Sequence, residues 1–272
     1  MSATHLIVGA GKMGGSLIRG WLENGTVNAK RLAIVDPHLG TDAVYAVEKG
    51  ARHIDEPHDI PNTVKVVLLA VKPQMVSEIA KSIAGYIPPN ALVISIMAGT
   101  SIAQIERMFG ARPIIRAMPN TPSSIGEGIT AITGPAGLDP AHLDTAEQLL
   151  SAVGIVRRVE TEALINSVTA ISGSGPAYIF HLCEALELAA KDVGLPKDLA
   201  PEFARQTIIG AAALLAQSDE TPETLRRNVT SPNGTTQAAL DVLMAEDGLA
   251  ALMRRAAQAA LKRAEELAQD ED

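Results

Sequence analysis

The sequence predicts an α/β domain built on a doubly wound parallel sheet, followed by a second domain that is all helix. Three observations carry this. In the first half, short β-branched apolar runs alternate with helix-length segments. Those runs do not alternate apolar with polar, which is how strands buried on both faces of a parallel sheet read. After residue 160 the strand-like runs stop and the chain reads as helix nearly to its end. The domains are therefore placed at residues 1–160 and 161–272.

Taken in order, Leu6, Ile7 and Val8 form the first run and lead into a glycine-rich turn, with a helix expected over 13–24. The second run, 32–35, stops at Asp36 and Pro37. The third, 64–71, is broken only by Lys65 and ends at Lys72 and Pro73. A helix over 74–86 closes before Pro88 and Pro89, and strands are expected at 91–96, 113–116 and 129–132. Between the first two of these lies a helix over 101–109. Its Ser101 and Gln104 have the spacing of a capping box, hydroxyl to backbone N–H and amide back to the cap. In the second half, residues 161–193 read as one long helix interrupted at Gly173, Ser174, Gly175 and Pro176, where proline removes a donor. Helices over 201–217, 237–244 and 249–268 follow. A long helix that is apolar around much of its surface needs a partner, so a homodimer through the helical domain is expected.

The chain has 272 residues, 47% of them hydrophobic and only 3% aromatic, so Ala, Leu, Val and Ile carry the core. A net charge of −8 without a basic run excludes nucleic acid and anionic membrane as partners. No apolar run reaches the roughly 18 residues of a membrane helix, and the start lacks a signal-peptide pattern, so a cytoplasmic protein is expected. Cys183 reads as a small core hydrophobe and the acidic end around Glu265, Glu266, Asp270, Glu271 and Asp272 as a solvated tail. No metal ligand set is expected.

Gly9, Gly11 and Gly14 are the glycines of a G-x-G-x-x-G, with Ala10, Lys12 and Met13 between them. The motif follows a strand and opens a helix, the context of a Rossmann-type dinucleotide site. The glycines there allow the turn, the approach of a pyrophosphate and close helix–strand packing. The anion would lie on the helix N-terminus. Asp36 ends the second strand about 20 residues past Gly14. A carboxylate there bonds the ribose of NAD and repels the 2′-phosphate of NADP, favouring NADH; the other reading is a cap on the turn with Pro37. Ala70, Val71, Lys72 and Pro73 close the central strand beside the cofactor crevice, with Lys72 either catalytic or merely near the cofactor. Met118 and Asn120 lie in a second rigid turn, between Arg116 and Pro122, read as a wall of the nicotinamide pocket or as a turn alone. Ser231, Asn233, Gly234, Thr235 and Thr236 form the densest polar cluster of the helical half. Hydroxyls and free N–H groups at a helix start suit a carboxylate, or simply cap the helix.

These motifs, with Ser172 to Ala177, occur in the order of the pyrroline-5-carboxylate reductases, and the chain resembles that family over nearly its whole length. The resemblance implies a Rossmann domain with a C-terminal all-α dimerisation domain. It also implies reduction of the cyclic imine Δ1-pyrroline-5-carboxylate to L-proline with NADH or NADPH, the last step of proline biosynthesis. Dimers that assemble further, commonly into decamers, are implied as well. By the same resemblance Thr236 would sit at the ring nitrogen. Ser231 and the N–H groups of Thr235 and Thr236 would hold the substrate carboxylate, with Gly234 keeping the loop close. Lys72, Pro73, Met118 and Asn120 would surround the nicotinamide. Two positions depart from the family pattern: Asn233 stands where glycine is usual, and Asp36 where a small hydroxyl residue often accompanies NADPH. A β-hydroxyacid dehydrogenase would share the two-domain plan, but Lys191 lacks a nearby Asn at helical spacing. A dinucleotide-binding protein without catalysis is the third reading.

Overall fold

The computed structural model describes residues 3–269, so the acidic residues Asp270, Glu271 and Asp272 lie outside the described part. The first half alternates strand and helix: β1 (His5–Val8), α1 (Lys12–Glu23), β2 (Leu32–Val35), α2 (Thr41–Glu48), β3 (Arg52–His53), β4 (Val66–Leu69), α3 (Val76–Ile83), β5 (Leu92–Ser95), α4 (Ile102–Phe109) and β6 (Ile114–Met118). It closes with β7 (Gly128–Thr133), α5 (Pro140–Leu150) and β8 (Gly154–Arg158). Among the described residues these strands form one sheet in the order β3-β2-β1-β4-β5-β6-β7-β8.

Why the runs read as continuously apolar is visible in the two cores. Ile7, Ile34, Leu68 and Ile94 point to one side, against Leu17, Ile18, Trp21 and Leu150 of α1 and α5. The alternate residues Leu6, Val8, Val67, Leu69 and Val93 point to the other, against Val76, Ala80, Ile105 and Phe109 of α3 and α4. Both faces are covered, so neither set can be polar. Trp21 fixes α1 to α5 as well, its indole N–H donating to Leu149 O at 2.7 Å.

The expected parallel sheet is present from β3 to β6, and β7 departs from it by running antiparallel to β6. The connection over 119–127 is shorter than the dozen or so residues a parallel crossover needs. β8, paired parallel to β7, is an additional strand at the edge. The helix expected over 74–86 is a central α3 flanked by 310 turns, Pro73–Met75 and Ala84–Tyr86. The capping box of α4 is present as expected: Ser101 N–H donates to Gln104 Oε1 at 2.6 Å and Gln104 N–H to Ser101 Oγ at 3.2 Å.

The helical part holds α6 (Ala163–Val168), a π turn (Thr169–Gly173), α7 (Gly175–Asp192), α8 (Ala200–Gln217), α9 (Pro222–Asn228), α10 (Thr235–Leu243) and α11 (Leu249–Gln269). The interruption expected at Gly173 to Pro176 takes the form of the π turn, after which helix resumes. Pro176 falls in the first turn of α7, where its missing N–H loses no bond. The chain divides into two compact units, Met1–Ser174 with Ala260–Asp272, and Gly175–Ala259. The sheet ends with β8 at Arg158, two residues before residue 160. The first unit runs on because Ile165 and Ala170 are fully buried within it. In the second unit α7 packs on α8, and Cys183 is half-buried on α7. No helix among the described residues is long and apolar enough to cross a membrane.

Candidate active site and cofactor cleft

The glycine loop is built by exclusion. Gly9 has φ +94°, and a Cβ there would lie 2.6 Å from Ala70 O at the end of β4. A Cβ on Gly14 would run into Gly9 O, so α1 can sit on the strand end only with glycine there. A Cβ on Gly11 would meet nothing within 4 Å: the space beside the start of α1 is open. Gly11 is the N-cap and supplies no side-chain acceptor, so the N–H groups of Lys12, Met13 and Gly14 stand at the helix start with its positive dipole end. Such a helix start suits an anion.

Asp36 reaches this loop directly. Its Oδ2 accepts from Ala10 N–H at 2.6 Å and its Oδ1 from His38 N–H at 2.8 Å. Its backbone O accepts from His53 Nε2 at 2.9 Å, which puts a proton on that nitrogen. His53 Nδ1 is 3.3 Å from Asp55 Oδ1. Beside these groups opens a cleft of about 640 Å³ at the strand ends of β1, β2 and β4. Ile54, Pro57, Ile79 and Ile83 give it an apolar wall, fit for a planar ring, and Asp36, Asp55 and Glu78 give it an acidic rim. Lys72 lies on its border and is exposed. The strand order reverses between β1 and β4, where open α/β sheets hold their ligands.

In the second unit Asn233 takes φ 58°, the only positive φ among the described non-glycine residues. Gly234 then caps α10 with φ −84° and ψ 175°, and its N–H donates to Ser231 O at 3.0 Å. A Cβ on Gly234 would lie 3.1 Å from the same oxygen. Thr235 and Thr236 are the first helical residues, so this turn too ends in free N–H groups flanked by hydroxyls.

Comparison with known proteins now bears on both sites. Residues 162–267 match the family model described as pyrroline-5-carboxylate reductase dimerisation, and residues 5–99 one described as NADP oxidoreductase, coenzyme F420-dependent. The pyrroline-5-carboxylate reductase of Pseudomonas aeruginosa is 40% identical over 263 residues, covering 96% of each chain. That of Synechocystis is 37% identical over 267 residues, covering 98% of this chain and 99% of its own. The chain belongs to the pyrroline-5-carboxylate reductase family. The solved reductase of Coxiella burnetii superposes with a TM-score of 0.88 at 34% identity, over 97% of this chain and 98% of that one. The Plasmodium falciparum pyrroline carboxylate reductase, solved with NADP bound, gives 0.81 at 25%, over 98% of each. A 3-hydroxyisobutyrate dehydrogenase from Mycobacterium tuberculosis, at 16% identity and 0.53, shares the fold alone.

Within this family member, Gly9, Gly11, Asp36, Ala70, Val71 and Lys72 come together around the cleft, while Lys12, Met13 and Gly14 form the adjoining helix start. Pro73 opens the 310 turn after Lys72. Asn120 caps the turn Thr121–Ile125, and its Oδ1 accepts from Ile129 N–H at 2.9 Å, which commits that oxygen to the loop. Met118 ends β6, half-buried. Ser231, Gly234, Thr235 and Thr236 share the turn before α10. The residues that sequence reasoning missed are His53, Asp55 and the apolar wall. His53, Asp55 and Ile54 arrive on or just after β3, whose two residues give no periodic signal, and Ile79 and Ile83 from α3.

Arg116 is a further buried cation on β6, 2% exposed. It pairs with Glu162 at 3.1 Å and donates to Asn166 Oδ1 at 3.3 Å. Burial pushes its pKa down, and the Glu162 carboxylate opposes that. This residue serves the frame around the site.

Proposed function

We propose that this chain reduces Δ1-pyrroline-5-carboxylate to L-proline, with NADH preferred over NADPH, and that it works as a homodimer joined through its helical part. The observation that carries the substrate is the turn Ser231 to Thr236, a second helix start that suits an anion, in a chain whose relatives are reductases of this imine acid. The glycine loop fits a dinucleotide because its open side, at Gly11, faces the helix start where a pyrophosphate is stabilised.

Bound in the cleft, the reduced dinucleotide supplies the hydride for C5 of the ring. The N–H groups of Lys12, Met13 and Gly14 hold its pyrophosphate, and Asp36 its ribose. Lys72, Pro73, Met118 and Asn120 wall the nicotinamide. The N–H groups of Thr235 and Thr236, with Ser231 Oγ, anchor the substrate carboxylate, and Gly234 lets the ligand approach. Thr236 Oγ bonds the ring nitrogen, which carries a proton before and after the transfer. A protonated C=N is already electrophilic, so orientation rather than a strong acid is what these residues provide. The preference for NADH rests on charge: the rim carries Asp36, Asp55 and Glu78, and a 2′-phosphate placed there meets like charge.

Steady-state oxidation of NADH and NADPH, each with Δ1-pyrroline-5-carboxylate, tests this. Turnover with a higher kcat/KM for NADH is expected. An NADPH preference keeps the reaction and overturns the part given to the acids; no turnover with either, from protein that binds dinucleotide, overturns the reaction. Thr236→Ala is expected to lower kcat, and unchanged kcat and KM would remove Thr236 from the mechanism.

A further inference from the structure

Gly173 closes the π turn Thr169–Gly173, and its backbone does not require glycine: its φ is not in the left-handed region. Glycine within a helix costs about 1 kcal/mol against alanine, so something other than conformation accounts for it. The space around it does. A Cβ on Gly173 would lie 2.8 Å from Met118 Cε and 3.5 Å from Thr169 Cγ2. The thioether methyl of Met118 occupies the place a side chain would take.

The turn is held wide at this point. Ser174 N–H reaches back to Thr169 O at 2.8 Å, and the Thr169 and Ser172 hydroxyls donate to Ile165 O at 2.7 Å and Val168 O at 3.1 Å. One residue more per turn presents the Gly173 backbone to the end of β6, where Met118 is the last residue. That end is on the ligand side of the sheet, on the half beyond the switch point from Asp36, hence the nicotinamide half.

We infer that Gly173 is a positioning residue: its missing side chain seats Met118 and so sets the wall against which the nicotinamide lies. This rests on the dinucleotide reading given above. Met118 Cε is the far end of a flexible side chain, so a methyl group on Gly173 displaces it at little cost to folding. The displaced thioether leaves its seat, and the ring loses the wall that aligns it with the imine.

A double-mutant cycle of Gly173→Ala and Met118→Val tests this. Gly173→Ala alone is expected to keep or raise Tm while lowering kcat/KM for the dinucleotide on the order of ten- to a hundredfold, as sub-ångström to ångström misplacement does. In the Met118→Val background, where the terminal methyl is gone, the same change is expected to alter kcat/KM by less than about twofold, since the cycle then has nothing left to couple. Equal losses in both backgrounds overturn the proposal, as does a Gly173→Ala protein with lowered Tm and unaltered kcat/KM. Should Gly173→Ala alone not fold while the double variant does, the contact is confirmed and the function is read from the double variant against Met118→Val. Calorimetric Kd values for NADH and NADPH accompany the cycle. If the wild type binds dinucleotide but turns over no imine, the reaction reading fails, and Gly173 is still judged by whether its Kd changes only while Met118 is present.

Discussion

The Asp36 carboxylate accepts from Ala10 N–H and from His38 N–H, so it braces the glycine loop and forms the turn with Pro37 at once. Each carboxylate oxygen has a second lone pair, which leaves acceptors for ribose hydroxyls. Replacing it tests both duties together. In Asp36→Ser the loop loses a charge-assisted bond of about 1.5–3 kcal/mol. The kcat/KM for NADH is then expected to fall on the order of tenfold or more, while that for NADPH falls less because the like charge is gone. An unchanged ratio of the two, measured side by side, would reduce Asp36 to a loop brace. His5 makes a separate test, of stability against pH. Burial, then the nearby Arg31 charge, lowers its pKa below the ordinary 6.5. The unfolded chain therefore takes up this proton first as pH falls through 6.5, and the folded chain loses stability down to the folded pKa. Urea unfolding from pH 7 to pH 5 is expected to show a smaller loss for His5→Gln than for the wild type. Equal slopes would show that the ring is free to protonate in the fold. At this scale the sequence was most legible where a known spacing marks the residue: Gly9, Gly11 and Gly14 lie in one turn, and Asp36 stands at the end of the neighbouring strand β2. His53 and Asp55 were not legible, because what brings them to Asp36 is the pairing of β2 with β3.

Elements were legible in proportion to how completely both faces are buried. The runs at β1, β2, β4, β5 and β6 stand out because α1 and α5 cover one face and α3 and α4 the other. β8 does not, because it is an edge strand with Ile155 exposed and two arginines following Val156, a composition that blunts an edge rather than fills a core. The antiparallel turn into β7 was hidden for another reason: it depends on the length of a connection, which apolar pattern does not record. Between elements a charge pair on the buried Arg116 joins distant parts of the chain. Glu162 Oε1 accepts from Ile102 N–H at 2.8 Å and from Arg116 at 3.1 Å, tying the start of α4, β6 and the start of α6 together. Glu162→Gln keeps an acceptor and removes the charge, which leaves Arg116 buried without a counter-ion. A loss of about 3 kcal/mol is expected, at the low end for a broken buried pair because Glu162 is partly open to water. Chemical unfolding measures it; a loss under about 0.5 kcal/mol would class the pair with those at the surface.

The second unit leaves many of its large apolar side chains exposed. No residue of α7 is buried; Phe180 is 65% exposed there and Phe203 56% exposed on α8. Sequence reasoning could see that such helices need a partner, and an apolar surface of this extent marks an interface. The family match over 162–267, to a model described as dimerisation, supports the homodimer proposed above as its cover. A two-fold dimer uses the same patch on both copies, so each substitution acts twice. Phe180→Glu puts a charge where an aromatic side chain would be buried. At a central position such a change costs about 2 kcal/mol or more, and two copies raise the dimer Kd on the order of a thousandfold. Sedimentation at micromolar concentration is expected to show an oligomer for the wild type and monomer for Phe180→Glu, with turnover lost alongside. If the wild type sediments as a monomer, the apolar faces of α7 and α8 are closed by some other means and the homodimer fails. If Phe180→Glu stays an oligomer with full turnover, the interface lies elsewhere on the helical part, and Phe203→Glu is the variant that then separates α8 from α7.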